Sequence, residues 1–322
     1  MNGQARRRLA PALVLALLLS ACAGASAAVP TAGDPIKRTD PSALIVASFD
    51  FPESQILANV YADVLRARGY PVRVFENLGP REIVEPALSR GLVDVVPEYV
   101  GSALGFLSLG ADAGSSNLTD THDRLARMLA GDGLVALDPA PAEDANAIVV
   151  TRDTADLLRL RTISDLRRTA NGMTFGGPPE CPQRPQCLGG LRRTYGLAFR
   201  AFTPLDTGGA QTVAALRSDE VQVALLFTSD PAIEANQLVV LRDDLGLQPA
   251  ENVVPVIRKA ALDRYGPGVA EALDWVSAQL ATDALRELNG LVGLAGDTPA
   301  EAAAEWLERL GVETDPAGGA AT

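Results

Sequence analysis

The residues able to do chemistry bound this chain quickly: its 322 residues hold one histidine and three cysteines beside 40 acidic side chains. A Ser–His–Asp relay would have to use His122, in Thr119-Asp120-Thr121-His122-Asp123, which reads as a polar helix start on the surface, not as the seat of a general base. The sequence has no G-x-x-x-x-G-K loop, no dinucleotide fingerprint, no G-x-S-x-G elbow and no H-E-x-x-H. Acids such as Glu98 and Glu180 could pair, but glycoside hydrolysis needs a defined separation that sequence spacing does not supply. Cys181 and Cys187 bracket five residues. Outside the cytoplasm such a pair favours a disulfide. A metal centre is the competing arrangement; it needs further Cys or His ligands, and His122 sits in an unrelated segment. Neither an enzyme nor a bound cofactor is expected.

The N-terminus carries different information. Arg6-Arg7-Arg8 precedes an apolar run, Leu13 to Leu19, that is too short to span a bilayer. A charged segment, a short apolar segment and small residues form a secretory signal. Leu19-Ser20-Ala21-Cys22 resembles a lipobox. In signals of that kind the cut falls before the cysteine and the thiol takes a lipid, which anchors by acyl burial at about 0.8 kcal/mol per methylene. A plain signal cut after Ala27 or Ala28 is the competing reading. Residues 1–21 are thus assigned to the signal and 22–42, rich in Ala, Pro, Gly and Thr, to a flexible tether. Removing the three arginines takes the net charge from −12 to −12 − 3 = −15. No basic run remains, so nucleic-acid binding is not expected.

The elements that must position any site alternate. Short apolar runs at Leu44–Ala47, Val72–Phe75, Val93–Val96, Leu134–Leu137, Ala147–Val150, Thr174–Phe175, Val221–Leu226 and Val253–Ile257 read as strands. Pro97 is expected to break the third. Amphipathic helices fall between them, among them one from Ser102 to Leu109 and a short one from Ser164 to Thr169 capped by Ser164. From Lys259 to Leu310 the chain reads as almost wholly helical, with Trp275 and Trp306 as core anchors. This rhythm predicts an α/β protein of two lobes, each a mostly parallel sheet flanked by helices, with sites at strand carboxyl ends and between lobes.

Two segments carry a family resemblance. Ile45-Val46-Ala47-Ser48-Phe49-Asp50-Phe51-Pro52-Glu53-Ser54 resembles the first strand and helix start of osmoprotectant-binding proteins of ABC importers, the glycine betaine, choline and carnitine receptors of the OpuAC and ProX type. Gly91 to Leu104, with Asp94 and then Pro97-Glu98-Tyr99-Val100-Gly101-Ser102, is similar to their signature. Glu143-Asp144-Ala145-Asn146, Gly177-Pro178-Pro179-Glu180 with Tyr195-Gly196-Leu197, and Phe227-Thr228-Ser229-Asp230 follow in the same order.

The resemblance implies a type II periplasmic-binding-protein fold that closes on its ligand. Lobe 1 comprises 43–143 and a helical return, 252–313; lobe 2 comprises 144–251; 314–322 is a disordered tail. A quaternary ammonium cannot donate hydrogen bonds and is held by aromatic faces. Tyr99 and Phe227 fall at cage positions of the family, and Phe51 joins the ligand-binding set. Asn146 stands where many members have a third cage tyrosine, with Asp144 as the acid beside it. Near Glu251, where a fourth tyrosine is common, the sequence has no aromatic. Glu180 and Arg184 match a polar pair near the ligand carboxylate, with an exposed loop salt bridge as the plainer reading. Ser102 either donates to ligand or caps the helix it opens. Phe49 replaces a lysine that some members carry. The departures make the pocket more polar and point away from glycine betaine itself, toward a different cation or a hydroxylated aromatic; a sensor or adhesin lipoprotein using the same clamp without transport is the competing reading. The implied partners are a small solute, the permease and ATPase of an importer, and the membrane through an N-terminal lipid; the receptor is expected to be monomeric.

Overall fold

The computed structural model describes residues 42–206 and 208–314. The expected signal, Cys22, the expected tether up to residue 41 and the expected tail from 315 lie outside them. The strands, in chain order, are β1 (Leu44–Ala47), β2 (Val72–Phe75), β3 (Val95–Tyr99), β4 (Leu134–Ala136), β5 (Asn146–Thr151), β6 (Thr174–Gly177), β7 (Ala201–Pro204), β8 (Val223–Phe227), β9 (Leu238–Val240) and β10 (Val253–Arg258). They form two sheets, ordered β2-β1-β3-β10-β4 and β7-β6-β8-β5-β9. Each sheet is the centre of one lobe.

Both sheets are mixed yet mostly parallel, as expected: in each, one strand runs against the other four. β1 pairs in parallel with β2 and β3, and β6 with β7 and β8, but β10 and β5 run antiparallel to both of their neighbours. The reason lies in the crossovers. β5 is the first strand after the chain enters lobe 2, and β10 the first after it returns. Each enters beside the carboxyl end of a parallel strand, with Asn146 opposite Phe227 and Val253 opposite Tyr99. A strand that starts at that end can only run back against its neighbours.

The expected break at Pro97 does not occur, and β3 runs through it. The Val100 amide donates to the Asn252 carbonyl, so that rung is hydrogen-bonded. Rungs alternate in an antiparallel ladder, which makes Pro97 opposite Pro255 a non-bonded rung. Neither missing N–H interrupts the pairing of the two strands.

The helices are α1 (Pro52–Ala67), α2 (Arg81–Ser89), α3 (Val100–Leu107), α4 (Leu118–Ala130), α5 (Arg152–Leu158), α6 (Leu188–Tyr195), α7 (Ala210–Arg217), α8 (Ala232–Ala235), α9 (Lys259–Tyr265), α10 (Gly268–Gln279), α11 (Thr282–Gly290) and α12 (Pro299–Arg309). α1 has Pro52 at its first turn, a position that needs no N–H. It buries Ile56, Leu57, Val60, Tyr61 and Val64 against α10, α12 and the first sheet, in a core that includes Trp306, with Trp275 packed at its edge. The second sheet is covered on both faces, by Phe175, Leu191 and Leu225 in one cluster and Val149, Leu216 and Leu226 in another.

α3 begins at Val100, two residues before the expected start. The short helix at Ile163–Arg168 is a 3₁₀ turn capped by Thr162, not Ser164, with Asp165 closing a capping box. Cys181 and Cys187 are disulfide-bonded and buried in the lobe 2 core. No helix among the described residues is long and apolar enough to cross a membrane.

Candidate functional site

The carboxyl ends of the parallel strands meet a cavity of about 420 Å³ between the two sheets. Lobe 1 lines it with an aromatic wall. Phe51, at the entrance to α1, stacks on Phe49 at 5.8 Å and meets Tyr99 at 6.2 Å between ring centroids. Tyr99, at the end of β3, is 5% exposed, and its hydroxyl donates to Glu53 Oε1 at 2.6 Å. That bond fixes the ring. Arg81, at the start of α2, lies 4.9 Å above the Phe49 ring and makes two 2.8 Å bonds to the buried Glu98. The positive charge on this wall is therefore already paired.

Lobe 2 supplies a more polar wall. Asn146 and Phe227 face each other across β5 and β8. Gly208 adopts φ +72°, and a Cβ there would crowd the Phe227 ring at 3.3 Å, so a side chain would strain this turn where glycine does not. Asn146 Nδ2 donates to Gln248 Oε1 at 3.1 Å, and Gln248 Nε2 donates to the Gln186 carbonyl at 2.9 Å. The Gln248 amide donates to Asp243, whose other oxygen accepts from the Tyr195 hydroxyl. Gln186 and Gln248 both line the cavity.

The two crossovers lie side by side at the floor. The Asp144 amide donates to the Glu251 carbonyl, and Glu143 bridges Asn252. Both crossover acids line the cavity. Asp144 accepts from Ser229 Oγ at 2.6 Å. Glu251 accepts from the Ser102 amide at 2.9 Å and hydroxyl at 3.1 Å, a carboxylate seated on the first turn of α3. A Cβ on Gly101 would stand 2.8 Å from the Ala250 carbonyl oxygen and 3.0 Å from Glu251 Oε1. Glycine in the Tyr-Val-Gly motif is thus what lets the returning crossover lie against α3.

Burial sets the charge state of these acids. It pushes Asp144 up to about 8, reinforced by Glu53, and Glu251 up to about 7, an effect that Ser102 and Arg81 oppose. Burial also raises Glu53, against hydrogen bonds from Tyr99, Asn289 and Ser229. For Asp144 and Glu251 that burial favours the protonated form, and a positive charge beside them would favour the ionised one.

The cavity brings together Phe51, Tyr99, Ser102, Asp144, Asn146, Phe227 and Glu251. It does not bring Glu180 and Arg184 to its lining. They bond to each other at 2.6 Å with side chains 45% and 58% exposed, an outward-facing loop pair. Ser102 takes a third course, donating to Glu251. His122 is half-buried, with Nε2 2.8 Å from the Leu137 carbonyl. Arg81, Gln186 and Gln248 were not singled out from the sequence. Arg81 opens a helix and looks like a solvated first-turn residue, and the two glutamines lie in loops whose return to the cleft depends on the fold.

The family model for the substrate binding domain of the ABC-type glycine betaine transport system, OpuAC, matches residues 42–309. The glycine betaine-binding protein YehZ of Escherichia coli is 29% identical over 268 residues, 80% of this chain and 88% of that one. A glycine-betaine-binding protein of Pseudomonas aeruginosa is 30% identical over 271 residues, covering 80% and 84%. A solved structure of a glycine betaine/carnitine/choline ABC transporter superposes with a TM-score of 0.78 at 22% identity, over 84% of this chain and 99% of that one. The two-lobed fold, the cleft at the strand ends and the match along nearly the whole described chain agree: this chain belongs to the OpuAC family of ABC-transporter substrate-binding proteins.

Proposed function

We propose that this chain is the extracytoplasmic receptor of an importer, anchored by a lipid on Cys22, that captures an organic cation of the quaternary-amine class and delivers it to a permease. The lobes then divide as 43–143 with 252–313, and 144–251, hinged at the paired crossovers. The carrying observation is the company of Phe51, Tyr99 and Phe227 with two half-buried acids, Asp144 and Glu251, in one cavity. Aromatic faces take the ammonium, each contact contributing about 0.5–2 kcal/mol. Asp144 and Glu251 supply the compensating charge. The cation on the lobe 1 wall, Arg81, is held by Glu98, so a ligand carboxylate finds little to receive it.

The cleft therefore favours a ligand of net positive charge over a zwitterion. Calorimetry with choline, glycine betaine, carnitine and ectoine tests this. Choline is expected to bind about tenfold or more tighter than glycine betaine, a difference of ~1.4 kcal/mol. Micromolar glycine betaine binding that is lost in Tyr99→Ala would sink the preference for a net cation. Silence with all four would sink the quaternary-amine reading itself. An importer further requires a permease and an ATPase encoded with this chain.

A further inference from the structure

Behind the cleft a chain of hydrogen bonds joins one wall to the other. The Tyr99 hydroxyl donates to Glu53 Oε1 at 2.6 Å. Asn289 Nδ2, on α11, donates to Glu53 Oε2 at 2.6 Å and to the Ser229 carbonyl at 3.0 Å. Ser229 Oγ donates to Asp144 Oδ1 at 2.6 Å. Tyr99, Glu53 and Asn289 belong to lobe 1, while Ser229 follows β8 in lobe 2. Tyr99 and Asp144 line the cavity; Glu53, Asn289 and Ser229 do not. Glu53 is 7% and Ser229 4% exposed, so water cannot readily replace the bonds they make.

We infer that Asn289 and Glu53 are positioning residues that couple the orientation of Tyr99 and Asp144 to the approach of the two lobes. This rests on the receptor reading above and names a control within the same site. The Asn289 amide has one acceptor in each lobe, so its full pairing exists only when the lobes hold this relative position. Swinging lobe 2 away strips the Ser229 carbonyl from it and draws Asp144 off with Ser229. A ligand that settles between Tyr99 and Asp144 fixes both ends of the relay and so favours the closed arrangement, which slows its own escape. A second interlobe bond lies nearby but off the relay: Arg286 Nε donates to the Thr228 carbonyl at 2.7 Å. Losing it removes a lobe contact and leaves Tyr99 connected to Asp144.

The test uses the full chain made unlipidated by Cys22→Ser, with choline as the probe in stopped-flow binding. Asn289→Ala should raise koff about tenfold and leave kon within about twofold. Asn289→Gln, which restores an amide donor, should recover most of the loss. Arg286→Ala should change koff by less than about twofold. Equal effects from Asn289→Ala and Arg286→Ala, or none from Asn289→Ala, would overturn the relay. Asn289→Ser replaces the alanine variant if that one does not fold. Should the parent bind none of choline, glycine betaine, carnitine and ectoine, the quaternary-amine reading fails separately, and small-angle scattering then reads the relay without ligand. Asn289→Ala should enlarge the radius of gyration and Asn289→Gln should not; three indistinguishable curves would end the proposal.

Discussion

The two walls of the cleft are built on different principles. Lobe 1 presents ring faces, Phe51 and Tyr99, backed by buried charge: Glu53 beneath the tyrosine hydroxyl and the Arg81–Glu98 pair beside it. Lobe 2 presents one ring, Phe227, among amides whose mutual bonds run from Asn146 through Gln248 to a disulfide-bracketed loop. A ring held by a buried acid is a fixed surface. Amides that bond mainly to one another can exchange those bonds for bonds to a solute. The difference predicts that affinity rests on the first wall and discrimination among solutes on the second.

Breaking the first wall should have the largest effect. Tyr99→Ala removes a ring face and also leaves Glu53, a buried carboxylate, without one of its donors. Choline affinity is expected to fall about 30-fold or more, ~2 kcal/mol, with a melting temperature several degrees lower. Tyr99→Phe separates the two losses, since it keeps the face and drops only the donor. Calorimetry and thermal melting on both variants read this. Were Tyr99→Phe as damaging to binding as Tyr99→Ala, the hydroxyl and not the ring would carry affinity.

The second wall should fail differently. The Cys181–Cys187 bridge closes a short loop, and in the chain-entropy account such closure contributes about 2–3 kcal/mol. Cys181→Ser with Cys187→Ser should lower the melting temperature markedly. Because Gln186 is the residue before Cys187 and its carbonyl holds Gln248, the ratio of choline to glycine betaine affinity should shift while Tyr99-dependent binding persists. An unchanged ratio beside a lower melting temperature would leave the loop a stability element alone.

Much of this was legible in the sequence. Apolar runs of four to six residues between amphipathic stretches gave most strands and helices, and Pro97 to Ser102 pointed to the cleft. The antiparallel sense of β5 and β10 was not, because it follows from where the chain crosses between lobes, and strand periodicity is blind to direction. Pro97 misled for a related reason: a proline ends a strand unless it faces a non-bonded rung, and the opposing Pro255 is 158 residues further along the chain (255 − 97). Glu53 was not singled out, since nothing local shows that Tyr99 and Asn289 close over it. In lobe 1 the site residues lie in short contiguous motifs. In lobe 2 they are scattered over Asn146, Gln186, Phe227 and Gln248, which is why the first wall was the more readable.

The floor between the walls adds a pH dependence with a definite sign. The groups facing Asp144 are Glu53, Glu251 and Asp230, and those facing Glu251 are Arg81 and Glu98. With folded values of about 8 and about 7 against ordinary values of 3.8 and 4.5, both acids bind protons more tightly in the folded protein. Their contribution to stability is full below about pH 4 and is lost as pH rises through 7 to 8. Binding runs the other way. A cation draws the acids into their charged form, so choline affinity should rise from pH 6 to pH 8 and protons should be released on capture. Calorimetry in buffers of different ionisation enthalpy measures that release; a heat independent of buffer would show that the cation meets carboxylates already ionised.

The smallest effect is expected at the outer edge of the second wall. Glu180 and Arg184 form an i, i+4 pair whose side chains are 45% and 58% exposed. Water screens both partners, and ordering two long side chains offsets much of the attraction, so such pairs contribute about 0.2–1 kcal/mol at most. Neither residue lines the cavity. Glu180→Gln and Arg184→Ala should therefore each leave the choline dissociation constant within about twofold of the parent. Carnitine, which carries a carboxylate, makes the comparison sharper. If Arg184→Ala weakened carnitine tenfold and spared choline, the loop would have to swing Arg184 inward to receive the carboxylate. The second wall would then contribute a charge that its resting arrangement keeps paired outside.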